Sequence, residues 1–391
     1  MTVDELPQTR AVTSGRGANG EALAPVVWAT SAFEAPHAEA SARRALRPRV
    51  TDFYTRFGNP GVQAFADAVA ELEGAEAALA YGSGMGAVTG VVLGLCSAGG
   101  HVVAQRQLFT ATSFLFQVHC PRLGIEVTLV DATDSSAIAA AVQPGRTQVV
   151  FVETPSNPGM AVVDLDAVGA IRGPVTVCDS TFATPLAQRP LDHGIDLVVH
   201  SATKTLSGHN DATLGVVAGD RTLIDELWAW AVVQGATASP YDAANGVRGL
   251  RTLGLRVAHQ HDTAARLARR LATHPAVVEV RYPGLATHPQ AELAARQMRS
   301  FGGCLSVEVA GGWEGAARFV DNVELARLAP SLGGPETLVS HPASMTHASL
   351  PATERAAQGI ADGLVRISVG LEHADDIETD LVRALDKLAA G

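Results

Sequence analysis

The chain of 391 residues has almost no lysine: of its 29 lysine and arginine residues only Lys204 and Lys387 are lysines, which leaves 27 arginines. Arginine stays charged, so a lysine kept in such a background suits a task that requires losing a proton. Lys387 lies among Leu381, Ala384, Leu385 and Leu388 on a helical repeat near the C-terminus and reads as a solvated charge, which leaves Lys204 as the candidate. Cysteine is also scarce. Cys96, Cys120, Cys178 and Cys304 are far apart and form no C-x-x-C pair, which argues against a disulfide scaffold and for a reduced, cytoplasmic protein. Neither sign of charge forms a run of five, so no charged tail is expected, and a net charge of −11 argues against a nucleic-acid partner. The most apolar stretch, Val88 to Leu95, is broken by Gly90 and Gly94 and falls far short of the roughly 18 residues of a membrane span. Met1 to Arg10 is polar, carries two acids and does not read as a signal peptide.

What is present is alternation. Residues 1–58 lack sustained periodicity and read as an arm. From 59 to 250, brief Val-, Ile- or Leu-rich runs alternate with helical patterns: His101 to Ala104, Glu126 to Asp131, Gln148 to Glu153, Val175 to Asp179, Asp196 to His200 and Gly215 to Ala218. Such runs suit strands buried on both faces, and their alternation with helices implies a mostly parallel sheet with an antiparallel strand among them. Phe65, Val69, Leu72 and Ala75 recur at helical spacing after the turn Gly58-Asn59-Pro60-Gly61. From 251 to 391 the pattern changes to amphipathic helices (Val257 to Leu271, Ala291 to Met298) and strands near Cys304 to Val309 and Leu364 to Val369, a smaller C-terminal α+β domain.

Three polar features fall at the ends of central runs: Glu153 before Thr154-Pro155-Ser156-Asn157-Pro158, Asp179, and Lys204 after His200-Ser201-Ala202-Thr203. The intervals of 26 and 25 residues are each one strand–helix unit. Ligands of open α/β sheets bind beyond the carboxyl ends of the strands, so all three converge on one crevice. A lysine and an aspartate there suit pyridoxal phosphate (PLP): the amine forms an imine with the aldehyde, and the carboxylate favours the protonated ring nitrogen. Gly82-Ser83-Gly84-Met85-Gly86, opening an apolar helix Ala87 to Leu95, offers a phosphate cradle, to which Ser201 and Thr203 add hydroxyls. Taken singly, each feature is ordinary: a glycine turn, a strand-end aspartate, a Ser-x-Thr pair. The glycines also suit a dinucleotide fold, but the acidic residue expected about 20 positions on is missing. The histidine pairs His259/His261 and His341/His347 lack zinc-site spacing, and no metal is expected.

The stretches YTRFGNP (54–60), AYGSGMGAV (80–88), ETPSNP (153–158), CDSTFATPL (178–186), DLVVHSATKTLSGHND (196–211), SLGGPETL (331–338), HPASMTH (341–347) and DGLVRISVGLE (362–372) resemble, in order, the PLP-dependent family of cysteine and methionine metabolism. That family includes cystathionine γ-synthase, cystathionine lyases, methionine γ-lyase and O-acylhomoserine sulfhydrylases. The resemblance implies the aspartate-aminotransferase-like fold type I and a homotetramer built as a dimer of dimers. It also implies active sites shared between subunits, with the 1–58 arm reaching the neighbour. It gives Lys204 the Schiff-base and proton-shuttle role and Asp179 the pyridine nitrogen. It assigns the phosphate to Gly84, Met85, Ser201 and Thr203, joined by Tyr54 and Arg56 of the neighbouring subunit. Arg366, with Ser331 and Asn157, would hold the substrate carboxylate, as a guanidinium fork suits.

Two positions depart from the family. Phe109, in Gln107-Leu108-Phe109-Thr110-Ala111-Thr112, stands where relatives resemble Leu-Tyr-Gly-Gly-Thr; it keeps a stacking surface for the cofactor ring and loses the tyrosine hydroxyl. Pro330 stands where cystathionine-processing relatives tend to carry a glutamate facing the distal end of the substrate. The reading is therefore γ-elimination or γ-replacement on a γ-substituted α-amino acid whose substituent is small or apolar and leaves readily. A γ-halo or O-acylhomoserine type fits, with an unsaturated amino acid as one possible product. The alternatives are methionine γ-lyase or cystathionine γ-lyase/γ-synthase carbon–sulfur chemistry, and a catalytically degraded binding subunit.

Overall fold

Seven strands build a central sheet: β1 (Ala77–Tyr81), β2 (His101–Gln105), β3 (Glu126–Val130), β4 (Thr147–Glu153), β5 (Val175–Asp179), β6 (Leu197–His200) and β7 (Gly215–Gly219). Their spatial order is β1-β7-β6-β5-β4-β2-β3, and only β7 runs against its neighbours. The computed structural model describes residues 6–131 and 133–389. Six of the seven strands coincide with the Val-rich runs. The seventh, β1 (AALAY), is too poor in β-branched residues to be read as a strand, and it sits at the sheet edge with β7 as its neighbouring strand.

Helices cover both faces of this sheet. Helix α1 (Pro60–Glu73) begins where the Asn59 side chain accepts the Gly61 N–H and Pro60 fits the first turn, and it ends at Gly74 in the left-handed conformation. Its Phe65, Val69 and Leu72 pack on Val216 and Ala218. On the other face, Val88 and Val91 of α2 (Gly84–Leu95) pack with Val177, Val199 and Val217. The α2 helix starts three residues before the expected Ala87, because the Ser83 hydroxyl caps the Gly86 N–H at 2.9 Å.

The second sheet holds β8 (Val277–Arg281), β9 (Cys304–Val309), β10 (Arg327–Leu328), β11 (Leu338–Ser340) and β12 (Leu364–Ser368) in the order β10-β11-β12-β9-β8. Helix α3 (Leu253–Leu271) and helix α4 (Ala374–Ala389) cover it, with Leu267, Leu271, Leu381 and Leu385 packed on Leu305, Val307 and Ile367. Side chains alternate along β12, so Val365 and Ile367 face this core and Arg366 faces the other way. The helix expected over Ala291 to Met298 stops at Gln297 after 7 residues. The 1–58 segment includes two short helices, Pro7–Thr13 and Ala38–Ala45, that its weak periodicity hid.

Candidate active site

Parallel pairing sets Glu153 at the end of β4 directly opposite Asp179 at the end of β5, and Asp179 opposite Val199 of β6. Beyond these ends lies a cavity of about 200 Å³. Its walls include Glu153, Asp179, Ser201 and Lys204 from the strand ends of the central sheet and the loops after them, Arg366 from β12, and Ser331 from the segment between β10 and β11. Lys204 rides a tight loop after β6, closed by Gly208 N–H to the Lys204 carbonyl at 2.8 Å. The Thr203 hydroxyl pins this loop to the entry of β7, donating to Leu214 O at 3.0 Å and accepting Leu214 N–H at 2.9 Å.

The Lys204 amine donates to Ser331 Oγ at 2.8 Å. Ser331 has φ 89°, a left-handed conformation that a residue with a Cβ rarely adopts. Burial, then the nearby Arg366 charge, pulls Lys204 down to about 8, so much of it is neutral amine in mildly alkaline solution. Arg366 is 4% exposed and donates to Asn157 Oδ1 at 2.9 Å and to the Ser331 carbonyl at 2.6 Å. Among the described residues its Nε has no hydrogen-bond partner and no carboxylate pairs with it. Burial lowers its pKa too.

Asp179 is buried, and its Oδ1 accepts the Thr181 N–H at 2.9 Å and the Thr181 hydroxyl at 2.5 Å. Burial raises it against these bonds and against the neighbouring His200. Glu153 is pushed up to about 8 by burial first and by the Asp179 charge second, while two backbone N–H groups pull the other way. Cys304, behind the site, is raised by burial.

The structure thus gathers Lys204, Asp179, Asn157, Phe109, Ser201, Pro330, Ser331 and Arg366 around one cavity. Gly84 abuts it from behind: a Cβ there would stand 2.6 Å from the Ser201 Cβ, so only glycine lets α2 approach. Met85 is next along the same helix start, its sulfur accepting from the Thr112 hydroxyl at 3.6 Å. Thr203 lines an adjacent cleft, and its hydroxyl is engaged by Leu214. Tyr54 and Arg56 do not line the cavity of their own chain. Arg56 instead donates to the Val232 carbonyl at 2.7 Å and lies over the Tyr54 ring. Glu153, singled out by its spacing but given no role, lines the cavity, as do Thr181, Phe182, Leu332 and Thr346. Thr181 falls in the stretch CDSTFATPL and Thr346 in HPASMTH. Phe182 lies in the same CDSTFATPL and Leu332 in SLGGPETL, and none of these stretches assigns the four residues a role. Among the described residues no three His, Cys, Asp or Glu side chains gather as a metal site, and no helix is long and apolar enough to cross a membrane.

A depressed lysine, a buried aspartate with fixed donors, and backbone N–H groups at the start of α2 are the groups that an aldehyde, a pyridine nitrogen and a phosphate need. The residues fit PLP. Together with the mixed sheet and its smaller companion, they define a PLP-dependent enzyme of fold type I. The model of the Cys/Met metabolism PLP-dependent enzymes matches residues 8–386, and the chain belongs to that family. It is 41% identical over 372 residues to an L-methionine gamma-lyase of Fusobacterium nucleatum, covering 94% of each chain. It is 42% identical over 378 residues to the chloroplastic cystathionine gamma-synthase 1 of Arabidopsis thaliana, covering 96% of this chain and 67% of that one. The crystal structure of cystathionine gamma synthase from Xanthomonas oryzae pv. oryzae in complex with cystathionine superposes with a TM-score of 0.92 at 38% identity, covering 99% of this chain and 100% of that one.

Proposed function

We propose that the protein catalyses elimination or replacement at the γ-carbon of an α-amino acid whose γ-substituent is small and uncharged. The observation that carries this is Arg366, a buried guanidinium without an acidic partner among the described residues, facing a depressed lysine across one cavity. A buried unpaired cation is costly unless a ligand supplies the counter-ion, and an amino-acid carboxylate does so bidentately. Around the rest of the cavity the ionisable groups are Glu153, Asp179 and Lys204, while Phe109, Phe182, Pro330, Leu332 and Thr346 carry no charge. That wall suits a methyl-thioether or similar substituent better than the distal ammonium and carboxylate of cystathionine.

Similarity to methionine gamma-lyases and cystathionine gamma-synthases favours carbon–sulfur chemistry over the γ-halo substrate expected from Phe109. When bound, PLP supplies an aldehyde for the substrate amine and a ring that accepts the electron pair left at the α-carbon. Lys204 Nζ would take the α-proton, then work at the β-carbon as the γ-substituent departs, with Ser331 Oγ steering the amine between these positions. Asp179, oriented by Thr181, would face the ring nitrogen and favour its protonated form, and Arg366 would hold the substrate carboxylate. Tyr54 and Arg56, absent from their own chain's cavity, fit a contribution to a neighbouring subunit's phosphate in a homotetramer.

The test is a panel of L-methionine, L-cystathionine, O-acetyl-L-homoserine and a γ-chloro amino acid on purified holoenzyme, scoring α-keto acid, ammonia, thiol and new amino acids. Methionine or O-acetylhomoserine is expected to exceed cystathionine in kcat/KM. Cystathionine as the best substrate defeats the uncharged-substituent reading, and no turnover of any defeats γ-chemistry.

A further inference from the structure

Glu153 lies in the cavity wall but takes no part in the chemistry above. Its two carboxyl oxygens serve two different segments: Oε1 accepts the Asn157 N–H at 2.8 Å, and Oε2 accepts the Phe109 N–H at 2.9 Å. Both segments deliver a side chain to the site. The Phe109 ring lines the cavity, and Asn157 Oδ1 receives Arg366 Nη1 at 2.9 Å. Glu153 is itself anchored: Gln105 at the end of β2 donates to its carbonyl and accepts its N–H, each at 2.9 Å. One continuous set of hydrogen bonds therefore runs from β2 through β4 to the ring on one side and the substrate-gripping guanidinium on the other.

The choice of side chain is informative. Glu153 is 5% exposed and stands opposite Asp179, so keeping a second carboxyl here costs both desolvation and repulsion. A neighbouring amide would avoid that cost, but glutamine has only one acceptor oxygen, and its NH2 would face the second N–H donor to donor. A carboxyl group presents an oxygen to each N–H, and an amide presents only one. Among the described residues nothing else bonds both loops at once.

We propose that Glu153 is a positioning residue for the reaction, a two-ended acceptor that fixes the Phe109 ring beside the cofactor and the Asn157 amide that aims Arg366 at the substrate carboxylate. The part that concerns substrate rests on the functional reading above; the part that concerns the two loops does not.

The experiment combines hydrogen–deuterium exchange with ligand binding on holoenzyme and on cofactor-free protein. In E153Q, peptides covering Phe109 or Asn157 should exchange faster, while β2 and β4 keep their protection. The Kd of L-norvaline, an amino acid with no γ leaving group, read from the cofactor's absorbance, should rise about tenfold, as for loss of one buried hydrogen bond. KM should rise with it and kcat fall less. Exchange at both loops and the norvaline Kd staying within about twofold of wild type would overturn the proposal. Should E153Q fail to fold, E153D decides in the same way, since it keeps the carboxyl group but loses the reach to span both loops. If wild-type enzyme processes no γ-substituted amino acid, the functional reading fails, while exchange and norvaline binding still judge Glu153.

Discussion

The floor and the rim of the cavity are built differently. The floor consists of residues at the ends of buried parallel strands or in a loop pinned to one: Asp179, Glu153 and Lys204, with backbones fixed by register and by bonds such as Ser201 N–H to Thr181 Oγ1 at 2.8 Å. The rim consists of Phe109, Pro330 and Thr346 on connecting segments outside the strand ladders, tied by bonds such as the Thr110 hydroxyl to the Thr346 carbonyl at 2.8 Å. On the roles proposed above, the chemistry falls to residues that the sheet holds fixed, and selectivity to loop residues that can change without disturbing a strand. Loops on a rigid scaffold usually carry such variation.

Lys204→Ala strikes the floor hardest. It should abolish both turnover and the covalent attachment of PLP after borohydride reduction, leaving Lys387 unlabelled; a labelled peptide from the variant would show that another amine does the work. Asp179→Asn should keep the cofactor but slow exchange of the substrate α-hydrogen by about a hundredfold or more, roughly 3 kcal/mol in the barrier. Near-normal exchange would remove Asp179 from the electron sink.

Arg366→Gln should raise KM by about a hundredfold, in line with roughly 2–5 kcal/mol for removing one side of a buried charged pair. It also carries a pH signature. Burial is the first cause of the low Lys204 value and the Arg366 charge the second, so the variant's Lys204 should titrate above about 8, closer to an ordinary lysine. The pH dependence of Lys204 acylation in cofactor-free protein, with Lys387 as internal reference, measures this. An unchanged or lower midpoint would contradict the coupling.

The rim should respond more gently. Phe109→Tyr should raise kcat/KM for thioether substrates by about tenfold, if a hydroxyl there helps the thiolate leave. Activity toward O-acetylhomoserine should barely change, and equal gains on both would mean that the hydroxyl acts elsewhere. Thr110→Val removes only the bond to Thr346, so KM should rise about threefold with kcat unchanged, a loss under about 1 kcal/mol. An effect as large as that of Arg366→Gln would place Thr346 on the floor's side of the comparison.

The floor was legible in the sequence because strand-end spacing maps directly onto a parallel sheet: 26 and 25 residues between Glu153, Asp179 and Lys204 became adjacent strand ends. Arg366 was named through resemblance alone, for nothing in its own segment says which way β12 faces until Val365 and Ile367 are seen in the core. Phe182 and Leu332 fall in the stretches CDSTFATPL and SLGGPETL, but that they meet the cavity follows only from tertiary packing. Strand β1 escaped for lack of β-branched residues, and α2 began early through a serine cap inside a glycine-rich turn. The bridging role argued for Glu153 needed the loops in place, since its two partners are 44 and 4 residues away along the chain.

Ser331 carries a consequence for how this protein would respond to selection for heat resistance. A serine held at φ 89° stores about 1–3 kcal/mol that a glycine at the same position would release. S331G is therefore an easy gain in melting temperature and, with the oxygen that receives Lys204 gone, a loss in catalysis. A population selected for thermostability alone should find that exchange early, and one selected for turnover should keep the less stable residue.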